Sequence, residues 1–204
     1  MKASELFEGP YSIDSDYRPH IKMDSYPSLA GLRRENEFLG TLTKDGSDYN
    51  FWINNGHTVV EITTEANDDI GQLRQLVVTK IRFDNRSHLP VKKELQVDTV
   101  YTHEKYRKEW LAGALYILLS RYGFSIVSDF SQYRGGIGLW KKLATESDAR
   151  KYSVRVWDDE TSDWIKDSDG SPVNYGANNL SDDEIWKDIS RHSEAITLLV
   201  LQSK

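Results

Sequence analysis

No cysteine occurs anywhere in the 204 residues. That absence removes disulfides, thiolate nucleophiles and thiolate-bound zinc in one step, and it fits a reducing compartment. Histidine is scarce as well: the five present are scattered without ligand spacing, so no metal centre is expected. Long apolar runs are missing, and nothing approaches the roughly 18 residues of a membrane span. The opening "MKASELFEGPYS" has no apolar h-region, which argues against a signal peptide. These absences point to a cytoplasmic protein. Of only five prolines, three (Pro10, Pro19 and Pro27) fall in the first 36 residues, which read as an irregular segment with room for one short helix.

The charge present is unevenly spread. The chain carries −6 overall, which weighs against nucleic acid as a partner. Residues 105–155 hold ten Lys/Arg against four Asp/Glu, whereas 157–187 hold nine Asp/Glu against two Lys. A basic middle suits an anionic ligand. The acidic stretch suits a cationic substrate, and two solvated surfaces of opposite sign account for the pattern equally well.

Strand signals begin after residue 36. "EFLGTLT" and "SDYNFWI" lead to Asn54-Asn55-Gly56, a hairpin signal because Asn and Gly tolerate positive φ, and then to "HTVVEITTE". "QLRQLVVTKIRF" and "ELQVDTVYT" give two more strands, separated by the turn region "DNRSHLP". The period then changes. From Glu104 to Tyr122 apolar residues recur at helical spacing, and Gly123 is placed to end one continuous helix in a left-handed cap. "FSIVSD" reads as a short central strand, "GGIGLWKKLA" as a helix, and "YSVRVWDD" with "SDWIKD" as a hairpin. "DSDGSP" is a turn, since no glutamate follows at the spacing of a calcium loop. Ser181 and Glu184 form a capping box opening a helix to about Ser190, and "AITLLVL" closes the chain as a strand. The expected class is α+β with a mixed, largely antiparallel sheet flanked by helices and an extra C-terminal hairpin and strand.

"TVYT" running into "HEKYRKEWLA" places Arg107 and Lys108 at a strand-to-helix junction. There, unpaired helix N–H groups and the positive end of the helix dipole favour anionic oxygens. The stretch "VYTHEKYRKEWLAGALYILLSRYG" resembles the central motif of the GNAT family, the acyl-CoA-dependent N-acyltransferases: a strand, Arg/Gln-x-x-Gly-x-Gly/Ala, then a helix. On this register Arg107 takes the first position, Trp110 that of the first glycine and Ala112 that of the last small residue. "IVSDFSQYRGGIGLWKKL" is similar to the family's next strand and helix, with Gly136 at a small-residue position and Trp140 where a tyrosine is common. The pattern Ser-Asp-x-x-Gln-x-x-Gly-Gly-x-x-Leu-Trp resembles acetyltransferase-like proteins of tailed bacteriophages in particular. The resemblance covers roughly residues 40–204, and 37–204 is expected to form a single GNAT-like domain behind the irregular 1–36.

The resemblance implies an acetyl-CoA cofactor, an acceptor amine on a small molecule or a protein, and, for a phage protein, the host cytoplasm. It assigns the pantetheine arm to the backbone of Val100 and Thr102. The pyrophosphate goes to the N–H groups of Lys108, Trp110, Leu111 and Ala112, beside Arg107. Asp98 is the nearest candidate base, with a solvent-facing polar residue as its other reading. Asp129, at the carboxyl end of a strand, either meets ligand or caps the following turn. Gln132 either contacts ligand or satisfies loop backbone. Two departures from the pattern bear on activity: Trp110 replaces a glycine, and Trp140 replaces the tyrosine that serves as acid, with an N–H that cannot shuttle a proton at neutral pH. The competing expectation is therefore a catalytically inactive GNAT-fold protein that binds and modulates a host protein. Nucleic-acid binding through the basic segment ranks last.

Overall fold

A computed structural model describes residues 26–68, 70–84, 89–128, 134–146, 152–159, 161–175 and 197–203. The fold is α+β; among the described residues there are nine strands, mostly antiparallel, with Glu94–Thr102 and Ser125–Val127 as a parallel pair. By backbone contacts the chain divides into two compact units, Met1–Asp84 with Asp98–Leu115, and Asn85–Val97 with Tyr116–Lys204.

In the first unit α1 (Leu29–Glu35) starts at Ser28, whose Oγ accepts from the Gly31 N–H at 3.0 Å. β1 (Asn36–Lys44), β2 (Ser47–Asn54), β3 (Val59–Asn67) and β4 (Leu73–Asp84) follow as an antiparallel series. Asp45 and Gly46 join β1 to β2 as a two-residue turn with φ of 50° and 77°, the left-handed pair that matches hairpin twist. The β2–β3 hairpin is where the sequence places it, but its chemistry differs from expectation. The positive φ falls on His57 (54°), and Asn54 organises the loop: its Oδ1 accepts from the Thr58 and Val59 N–H groups at 2.8 and 2.9 Å. An Asx side chain can do the turning that Asn-Gly backbone freedom was expected to do. Inside the unit Trp52 Nε1 donates to Thr63 Oγ1 (3.1 Å), which donates to Gln75 Oε1 (2.8 Å), so three buried polar groups satisfy one another.

β5 (Glu94–Thr102) spans both units, Asp98–Thr102 belonging to the first. The His103 N–H donates to the Val78 carbonyl at 2.8 Å.

In the second unit the strand order is β5, β6 (Ser125–Val127), β9 (Thr197–Ser203), β7 (Tyr152–Asp158), β8 (Asp163–Trp164). β6 runs parallel to β5 over Glu94–Gln96 only, and every residue of β6 is buried, as its continuous apolar run implies. α3 (Arg134–Glu146) is tied to β7 by the Tyr152 hydroxyl, which donates to the Leu143 carbonyl at 2.7 Å. The expected "DSDGSP" turn is present: Asp167 Oδ1 accepts from the Asp169 and Ser171 N–H groups. The capping box at Ser181 and Glu184 lies outside the described residues.

The continuous helix expected over 104–122 is two helices. Glu104–Glu109 is a 3₁₀ helix, and α2 is Leu111–Arg121. Trp110 between them is left-handed, with φ 57° and ψ 31°, which no α-helix can absorb. At the other end Gly123, with φ 83°, closes α2 as expected. The Gly123 and Phe124 N–H groups return to the Ser120 and Leu119 carbonyls in a Schellman pattern.

Candidate functional site

The junction between β5 and α2 is organised from both ends. His103 caps the 3₁₀ helix, its Nδ1 accepting from the Lys105 N–H at 3.3 Å, and its ring meets Tyr106 edge-on at 5.6 Å. Arg107 and Lys108 are exposed, and Arg107 Nε donates to the Thr102 carbonyl at 3.3 Å. The Thr102 hydroxyl accepts from Thr79 Oγ1 at 3.2 Å. Val100 is 40% exposed. Val100, Thr102, Arg107, Lys108, Trp110, Leu111 and Ala112 are thus brought into one strand–loop–helix element, as the sequence reading expected.

Within α2 the first intrahelical bond runs from the Ala114 N–H to the Trp110 carbonyl at 3.1 Å. The N–H groups of Leu111, Ala112 and Gly113 therefore have no intrahelical acceptor. The half-buried Trp110 side chain folds onto the flank of that first turn. A Cβ at Gly113 would stand 2.6 Å from both Cζ2 and Nε1 of the indole, closer than real side-chain carbons come. Gly113 is thus the residue that lets the indole lie down, and the sequence reading gave it no role. An isolated glycine inside a helical pattern was the available signal.

The 3₁₀ helix is held from outside by Lys44 and Tyr49. The Lys44 ammonium stands 2.7 Å from Glu109 Oε2, and its hydrogen bond goes to the Glu109 main-chain carbonyl at 3.3 Å. Tyr49, 4% exposed, meets Tyr106 edge-on with ring centres 6.3 Å apart. Burial raises the Tyr49 phenol above its ordinary value, and the Glu109 carboxylate and Tyr106 push the same way against a hydrogen bond from Ser47. A folded-state value above the unfolded one means that Tyr49's contribution is complete below the unfolded phenol pKa of about 10. It is lost as pH rises through the higher folded value. Thermal melts between pH 8 and 11 should show Tyr49→Phe losing less stability above pH 10 than the parent does.

Asp98 is exposed on β5, and its Oδ2 accepts from Thr99 Oγ1 at 3.2 Å. It lines a shallow polar pocket of about 270 Å³ with Thr58, Val59, Arg82, Phe83 and Asp84. Four residue steps along β5, a run of about 13 Å, take the strand from Asp98 to Thr102. Asp129 and Gln132 lie outside the described residues. Trp140 is 2% exposed and packs on Tyr116 with ring centres 5.7 Å apart, a core residue of α3. Among the described residues no three His, Asp or Glu side chains converge on a possible metal position, and no helix is long and apolar enough to cross a membrane.

Fold and junction together define an α+β protein whose strand-to-helix loop offers backbone donors beside two exposed cations. Family models, curated proteins and solved structures yield no match to the chain.

Proposed function

We propose that the chain is an acyl-CoA-dependent N-acetyltransferase-like protein, of the type found in tailed bacteriophages, in which the β5–α2 junction receives the cofactor's pyrophosphate. The observation that carries this reading is the left-handed backbone at Trp110. A non-glycine residue there costs about 1–2 kcal/mol. The bend nevertheless stands at the position that the GNAT resemblance gives to the motif glycine, which would adopt it freely. The resemblance gives the pantetheine arm to the main chain of Val100 and Thr102, and the exposed Arg107 and Lys108 suit the phosphates.

Transfer in such a site is direct. The acceptor amine attacks the thioester carbonyl, its proton passes to a base or to solvent, and the CoA thiolate leaves. The protein's work is positioning and deprotonation. Asp98 is the carboxylate the resemblance offers for the proton, Asp129 is a second candidate by its place at the carboxyl end of a strand, and the acceptor is a small-molecule or protein amine. Trp140 favours a second reading, binding of a host protein without turnover. Buried against Tyr116 where the resemblance expects a tyrosine acid, it supplies no proton to the leaving thiolate.

Calorimetric titration with CoA and acetyl-CoA decides between these readings. Micromolar binding that weakens at least about tenfold in Arg107→Glu is the expected result. Absence of binding at millimolar ligand ends the cofactor reading. Binding without CoA release across a panel of amines selects the second reading.

A further inference from the structure

Lys44 lies 65 residues before Glu109, yet it grips both the side chain and the main chain of that residue. Its own base is stiff. The Asp45-Gly46 turn leaves Lys44 paired directly with Ser47, and Thr43 Oγ1 donates to Asp48 Oδ1 at 2.6 Å across the same hairpin. The ammonium is placed at the carbonyl end of the 3₁₀ helix, where a cation is favoured. The carbonyl it holds belongs to the peptide linking Glu109 to Trp110, the plane from which the φ of Trp110 is measured. Tyr106 of the same segment meets the Tyr49 ring edge-on.

The pair itself is a weak source of stability. Lys44 and Glu109 side chains are 37% and 27% exposed, and ion pairs open to water contribute little. The contact bears instead on the peptide that enters the strained bend. We propose that Lys44 is a positioning residue for the cofactor cradle: by fixing the Glu109–Trp110 peptide it keeps Trp110 left-handed and the first N–H groups of α2 directed at the ligand. This rests on the acyl-CoA reading above and adds to it a residue outside the loop.

The test uses the full chain with Lys44→Met and Lys44→Arg, CoA as the probe, and the Trp110 indole N–H resonance, assigned by its loss in Trp110→Phe. Lys44→Met should shift that resonance and weaken CoA binding roughly tenfold, with the melting temperature little changed. Lys44→Arg, which keeps a donor and the charge, should restore both. A parent and a Lys44→Met protein with equal CoA affinity overturn the proposal. If neither binds CoA, the cofactor reading fails and the resonance alone judges Lys44: a shift in Met that Arg reverses upholds its hold on the bend, and an unmoved resonance overturns it.

Discussion

Leu198→Ala should lower unfolding stability by about 2–5 kcal/mol, the range for emptying a leucine site in a core that cannot collapse around it. Leu198 is 0% exposed and sits in a cluster with Leu89, Val127, Trp157 and Val200. It lies on β9, which is paired with β6 on one side and β7 on the other, and it stands directly opposite Trp157. Ladders on both sides keep the backbone from moving inward, so most of the leucine volume remains as cavity. Chemical denaturation should show a lower midpoint with an unchanged slope. A loss below about 1 kcal/mol would mean that the cluster repacks and that β9 is less fixed than its pairing implies.

β9 also shows why much of the sheet was legible. Central strands are buried on both faces, and "AITLLVL" and "FSIV" announce this by unbroken apolar runs. "ELQVDTVYT" matches β5 residue for residue because a turn region bounds it before and a change of period after. The Asp-Gly turn at 45–46 was equally readable and went unused, whereas Asn54-Asn55-Gly56 marked the right hairpin for a different physical reason.

The strand-to-helix junction was legible in outline and not in detail. Strand, basic loop and helix follow from pattern, so the cofactor residues assigned by resemblance fall in one element. The break at Trp110 does not follow from pattern, since tryptophan is among the residues least expected in a left-handed conformation. Periodicity alone runs the helix straight through it. Lys44 was illegible for another cause: a contact across 65 residues leaves no local trace. The resemblance points to Asp98 as the nearest carboxylate on the strand before the loop. In the structure it lines a shallow pocket with Arg82 and Asp84, neighbours that its place on the strand does not reveal.

Gly113→Ala tests the indole's place most directly, because the sign of its effect should depend on residue 110. In an ordinary helix interior, alanine for glycine stabilises by about 1 kcal/mol. Here the new methyl group enters space already held by the Trp110 ring, and overpacking of this kind costs about 1–3 kcal/mol. In the parent the change should therefore destabilise. In a Trp110→Gly background the ring is gone, the left-handed strain is relieved, and the same change should stabilise by about its propensity gain. The two residues touch, so a coupling of this size is what a double-mutant cycle detects. Equal effects of Gly113→Ala in both backgrounds would show that the indole does not rest on the first turn of α2. A reversal of sign would place it there and identify Gly113 as the residue that makes room for a tryptophan at the start of α2.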